Sequence, residues 1–235
     1  MESGSISRYV LYAIGEVLLV MIGILLALQV NNWNETRKER AEEKEILTEI
    51  SEALKSDVDN YRGMVKYLDH VDSAYFKILY HVDHDVPYDD TLSYCFRYMT
   101  QGRTWNYNRS AFKGLETRGL DIIRDKRIKE RVLYTYESWF PSFQASIDNF
   151  HANIHEYSRP LIRKHFSMIT SSDEQFRHNN VYTPIDFESL RKMPEFRNIL
   201  ITLKHATTFQ KERAERAIEG IGGFITEIEE YIDQR

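Results

Sequence analysis

Two short stretches carry side chains of the kind that bind metals. HVDHD places His81, Asp83, His84 and Asp85 at the end of a helical pattern. HANIHE puts His151 and His155 one turn apart on one helix face, with Asp148 three residues before His151. Imidazoles spaced i, i+4 can chelate zinc, but a catalytic zinc site takes three protein ligands and a di-iron bundle takes two Glu-x-x-His pairs. Neither set is complete here. His155 falls beside an apolar stripe and His81 beside a capping region, so the sequence predicts locally satisfied polar residues, with no metal and no cofactor. A metal-dependent enzyme ranks third among the functional readings below.

Other catalytic signatures are missing. The chain has no Walker loop, dinucleotide fingerprint, nucleophile elbow or HExxH. Gly220, Gly222 and Gly223 in EGIGGFITE resemble a phosphate loop only superficially, because they keep helical phase and lack the lysine and the preceding strand. They read as a flexible or closely packed point in a helix. The run NETRKERAEEKE mixes both charge signs at three- and four-residue spacing, as a solvated helix face does. With a formal net charge of -5 the chain offers no global attraction to nucleic acid. No small-molecule ligand can be identified, and the single cysteine, Cys95, excludes an internal disulfide.

The most unusual ionisable group is Glu16, which stands inside YAIGEVLLVMIGILLALQVNNWNE. As a helix, the run from Tyr9 to Val30 is about 33 Å long at ~1.5 Å per residue, enough to cross a hydrocarbon core of about 30 Å. It has no A-x-A-like cleavage site, so it is read as an uncleaved signal anchor, with Tyr9, Tyr12 and Trp33 as interfacial anchors. A charged residue near a bilayer centre costs about 2.5 to 3.5 kcal/mol and normally faces a partner or a cavity. At helical spacing Glu16, Val20, Gly23 and Ala27 share one stripe, and Gly23 with Ala27 forms a small-xxx-small pair that permits close backbone approach.

Those placements predict helix association. Glu16 either hydrogen-bonds across helices in a homo-oligomer or a complex with another membrane protein, or lines a polar path. Arg37, Lys38, Arg40 and Lys44 follow the span, against Arg8 alone before it, which puts the soluble part on the cytoplasmic side of the inner membrane in a single-pass arrangement. The first functional reading is therefore a membrane-anchored helical scaffold, sensing or assembly component that binds a protein partner and is not an enzyme. The second is a homo-oligomeric channel or ion-coupled component with Glu16 in the path.

The same residues carry a resemblance. The run beginning at Tyr12, followed by RKER and later by SAFKGLETRGLDIIRDKRIKERVLYTYE, resembles an uncharacterised family of small single-span membrane proteins from Bacteroidota. The resemblance implies a membrane helix with this Gly-Glu pair and a helical soluble region. It marks Gly15, Glu16, Gly23, Asn31, Asn32, Trp33 and Asn34 as a signature and implies no activity.

The elements that position these residues are helical. The expected class is all-α, with an N-terminal transmembrane helix (1–33) continuing into a helical bundle (34–235) whose long helices cover about 34–84, 126–169 and 194–233. Leu47, Ile50, Leu54, Val58, Tyr61, Val65, Leu68, Val71, Tyr75, Leu79 and Val82 recur at steps of three and four, with no proline until Pro87. Ser110 and Gly119 bracket a short helix. A second stripe, which includes Tyr136, Trp139, Phe143, Ile154 and Tyr157, passes through Pro141 and Pro160 and predicts kinks there. The last stripe includes Leu203, Ala206, Phe209, Arg213 and Ala217. Residues 170–194 read as a connector, and no run alternates long enough to suggest a sheet. With 15 Tyr, 12 Phe and 3 Trp, ring packing dominates the expected core. The alternative to core packing is a recognition surface: the segment QGRTWNYNR looks too polar to be wholly buried, so if a soluble segment binds a partner, Arg103, Trp105, Tyr107 and Arg109 are the expected surface.

Overall fold

In the computed structural model, which describes residues 3–170 and 180–234 with side chains from 14 to 168 and from 181 to 234, the first helix α1 runs unbroken from Ser3 to Asp83. No turn separates the apolar span from the bundle helix. Nothing in the junction interrupts the hydrogen-bond ladder, and the Asn31 amide donates to Glu35 one turn on (3.0 Å). The helix ends in a left-handed residue, Asp85 (φ 53°), just before Pro87. From Trp33 to Asp83 it extends about 75 Å at ~1.5 Å per residue.

The chain then descends along α1. Helix α2 (Leu92–Cys95) continues as a 3-10 turn (Phe96–Met99), and the Tyr75 hydroxyl donates to the Tyr98 carbonyl. Lower down, Arg103 reaches the Gly63 carbonyl, the Asn108 N–H reaches Asp57, and Arg118 at the end of α3 (Ser110–Arg118) pairs with Glu45. Gly119 (φ 101°) turns the chain, and the Arg124 N–H donates to Glu43. The second long element rises parallel to α1 as α4 (Lys126–Tyr134), α5 (Phe140–Asn153) and α6 (Arg159–His165). Helix α8 (Pro194–Asp233) then runs down against both, as the pairs Asp83–Arg197, Asp72–Lys204, Asp69–Lys211 and Lys55–Glu229 demonstrate.

The prolines act through wide turns. Five-residue π segments, Thr135–Trp139 and Ile154–Ser158, stand immediately before Phe140-Pro141 and Arg159-Pro160. The Phe140 N–H donates to the Thr135 carbonyl and the Arg159 N–H to the Ile154 carbonyl, one residue further back than in an α-helix. A proline ring clashes with the carbonyl four residues before it, and widening the turn removes that clash without ending the helix. Each wide turn holds one extra residue. Phe140 is therefore buried where Trp139 was expected, and Ser158 where Tyr157 was expected.

The second long helix stops at His165 rather than 169. Phe166 is extended, and β1 (Phe166–Thr170) pairs antiparallel with β2 (Asn180–Pro184), Met168 opposite Tyr182. The two strands correct the expectation of no sheet. Five residues are too few for alternation to stand out from a helical extension. The rest of the expected connector, 171–179, lies outside the described residues. A one-turn helix α7 (Phe187–Leu190) leads into α8.

Two cores result. The one nearer the N-terminal apolar stretch contains Leu47, Leu54, Tyr61, Phe112, Tyr136, Phe140 and Phe224. The farther one contains Tyr75, Ile78, Phe96, Phe150, Phe166 and Phe196. On α8 Leu203 and Ala217 are buried as expected, but between them the chain buries Thr207, Gln210 and Ala214, one step beyond the expected Ala206, Phe209 and Arg213. Gln210 can be inside because its amide donates to the Ser146 carbonyl, and the Thr207 hydroxyl donates to Leu203. Phe209 stays half-exposed, with Arg213 over its ring and over Trp139. Gly220, Gly222 and Gly223 have no neighbour within 4 Å of a Cβ position, so they are not a close-packed point.

Candidate functional site

From Ile14 to the start of the bundle, α1 has nothing packed against it among the described residues. Its most apolar window is 0% buried, and Val17 and Leu19 are 67% and 74% exposed. A helix this long and apolar is able to cross a membrane, and its full exposure separates it from a core helix of a soluble domain. Glu16, Val20, Gly23 and Ala27 are all exposed, with nothing within 4 Å of a Cβ at Gly23. Trp33 is exposed at the end of the span, while the side chains of Tyr9 and Tyr12 lie outside the described residues.

Helix continuity fixes how this stripe faces relative to the bundle. At ~100° per residue, Leu47, Ile50 and Leu54 point about 160° to 220° round the axis from Glu16. The Glu16 stripe therefore lies on the side of α1 opposite its packed face.

The expected partner surface is divided. Trp105 is 3% exposed, with ring centroids 5.0 Å from Tyr61 and 4.8 Å from Phe143. It is a core residue, and the polar residues around it conceal that from a composition-based reading. Tyr107 is half-buried against Phe140 (4.7 Å). Arg103 is exposed but bonded to Gly63, and Arg109 pairs with Glu137 and Glu116. The segment straps the bundle together.

Beneath the strap is a cluster that the sequence reading missed. Asp57 is 0% exposed. Its Oδ1 accepts the Asn108 N–H (3.0 Å), while its Oδ2 has no hydrogen bond of ordinary geometry among the described residues. The hydroxyls of Tyr61 and Tyr136 and the indole N–H groups of Trp105 and Trp139 are likewise buried, and none makes a hydrogen bond of ordinary geometry among the described residues, although the Trp139 indole lies close enough to favour the ionised form of Tyr61. Burial pushes the Asp57 carboxyl up to about 6, against the opposing pull of the Asn108 N–H and the Asn60 amide. The Tyr61 and Tyr136 hydroxyls are raised as well, chiefly by burial and further by the charge of Asp57. The signal was available: Ile50, Leu54, Asp57 and Tyr61 continue the three-four alternation, and Val58 drew attention because it is apolar.

The histidines are held apart. His81 Nδ1 is 2.9 Å from the Pro87 carbonyl, and His84 stacks on Tyr80. Asp83 pairs with Arg197 and Asp85 with Arg191. His155 accepts from Arg159, Asp148 accepts from Gln144, and the buried His151 Nε2 faces Gly102. Among the described residues no three His, Cys, Asp or Glu side chains form a group able to hold a metal.

With this geometry in place, the comparisons fall on α1. Residues 16–77 match the model of a family of unknown function, DUF6090. The match begins at Glu16 and ends within α1, so the similarity covers most of the apolar stretch and the bundle helix that continues from it. No curated protein and no solved structure matches the chain.

Proposed function

We propose that the chain is a non-enzymatic, membrane-tethered scaffold, sensing or assembly component. It associates through the Glu16 stripe and presents its bundle to a protein partner. The observation that carries this reading is the single helix α1, bare along the span and packed along the bundle. Whatever orients the span orients the bundle too, because no hinge intervenes. The Glu16 stripe lies opposite the packed face, so a second copy can approach there without displacing α8. A protonated Glu16 would donate and accept hydrogen bonds in such an interface.

The test is the oligomeric state of the full chain in mild detergent and in bilayers. Glu16→Gln is expected to preserve association, Glu16→Leu to weaken it by about 1 kcal/mol, and Gly23→Leu to weaken it more. Proton or cation flux in liposomes that Glu16→Gln abolishes would favour a channel instead. A monomer in both media, without a co-purifying protein, would refute both readings.

A further inference from the structure

The charge run after the span sorts by face once α1 is seen whole. Arg37, Arg40 and Lys44 are spaced i, i+3, i+7 and share one side, while Glu35, Glu39 and Glu42 share another. The bundle takes up most of the acids. Glu39 pairs with Arg124, Glu45 with Arg118, and the buried Glu43 accepts from the Arg124 N–H and the Tyr231 hydroxyl. Glu35 accepts from Asn31. Arg37, Arg40 and Lys44 are exposed, and among the described residues none of them has a carboxylate within ion-pair distance.

Arg40 and Lys44 also flank a notch of about 190 Å³, closed on the other side by Tyr231 and Ile232 of α8, with Glu43 and Leu47 at its floor. The three cations follow Trp33 by about 6, 10 and 16 Å along the axis at ~1.5 Å per residue. Helical side chains lean toward the N-terminus, which here is the direction of the span. The headgroup layer on each side of the hydrocarbon is roughly 5 to 7 Å thick. With Trp33 at the edge of the hydrocarbon, the leaning arms of Arg37 and Arg40 would reach the depth of headgroup phosphates, with Lys44 behind them.

We infer that Arg37, Arg40 and Lys44 form a docking face for the phosphate headgroups of anionic phospholipids in the bilayer that α1 enters. This inference rests on the membrane reading above. The mixed charge of the sequence hides it, because Glu39, Glu43 and Glu45 are committed to Arg124, Tyr231 and Arg118, and Glu35 and Glu42 lie on another side of the helix from the cations.

The experiment uses the full chain reconstituted into phosphatidylcholine vesicles and into vesicles that also contain phosphatidylglycerol. Spin-labelled lipids of each headgroup report the fraction held against the protein. Flotation with either vesicle tests the membrane reading by itself. Given flotation, phosphatidylglycerol is expected to be preferred by roughly five-fold or more at low salt, and the preference should shrink as salt is added. A variant carrying Arg37→Gln, Arg40→Gln and Lys44→Gln should float equally well and lose the preference. Flotation without any preference, or an unchanged preference in the variant, would overturn the inference. So would a preference that inorganic phosphate removes at constant ionic strength, since that would assign the face to a soluble anion.

Discussion

Asp57→Asn is expected to stabilise the bundle at neutral pH. Asp57 is fully buried, its Oδ2 has no hydrogen bond of ordinary geometry, and no cation pairs with it among the described residues. Raising a carboxyl from 3.8 to about 6 corresponds to about 3 kcal/mol at ~1.4 kcal/mol per tenfold change in proton affinity. The sign follows from proton linkage. The folded state holds this proton more tightly, so the contribution is fully present below pH 3.8 and is lost as pH rises through about 6. Asn keeps a carbonyl oxygen for the Asn108 N–H and carries no charge at any pH. Urea unfolding of the full chain in detergent, followed by circular dichroism from pH 4 to 8, measures the difference. The variant should exceed wild type by up to about 3 kcal/mol at pH 7.5, or roughly 6 to 12 °C in Tm for a chain of this size, and converge with it at low pH. A variant less stable than wild type at pH 7.5, or a gap that does not vary with pH, would mean that Asp57 is ionised and paired, and the account of the strap would fail.

Gly102→Ala would place a Cβ within 2.7 to 2.9 Å of the His151 and Phe150 rings, so it should cost about 1 to 3 kcal/mol by chemical denaturation, much of it recovered when His151→Ala is added. Trp105→Ala should cost about 3 to 5 kcal/mol and raise hydrogen exchange across residues 103–109, since the ring fills the space between Tyr61 and Phe143. Cys95 is half-buried with its thiol raised by burial, so Ellman's reagent at pH 7.5 should modify it more slowly than free cysteine, and at the ordinary rate in denaturant.

Much of the architecture was readable because helices of this length repeat their pattern many times. The α1 stripe, the proline-led start of α8 and the Gly119 turn all rest on local rules that burial does not override. The errors along the helical stripes concern neighbouring positions. Where two adjacent residues both suit a stripe, type was preferred to phase, as with Phe209 over Gln210, and Asp57 was passed over although it is buried beside Val58; Phe140 replaces Trp139 because the wide turn holds an extra residue. In each case the chain buries the residue that the packing frame selects, and where that residue is polar it supplies a hydrogen bond, as Gln210 does to Ser146 and Asp57 to Asn108. The strands were missed because five residues carry too little periodicity. The cation face at Arg37, Arg40 and Lys44 was invisible for another reason: the partners of Glu39 and Glu45 lie more than seventy residues away in sequence.

The two wide turns bear on how this chain can change length. In an ordinary helix, losing one residue rotates everything beyond it by about 100° and turns the buried face outward. Within Thr135–Trp139 or Ile154–Ser158 the same loss would return the turn to regular pitch and leave Phe143, Ile147 and Leu161 facing inward. These are the places where single-residue deletions should be silent, provided that the proline which follows is exchanged as well. Sequences that share this bundle but lack Pro141 or Pro160 should therefore be shorter by one residue at the matching turn, and an alignment that closes that gap elsewhere would misassign the core.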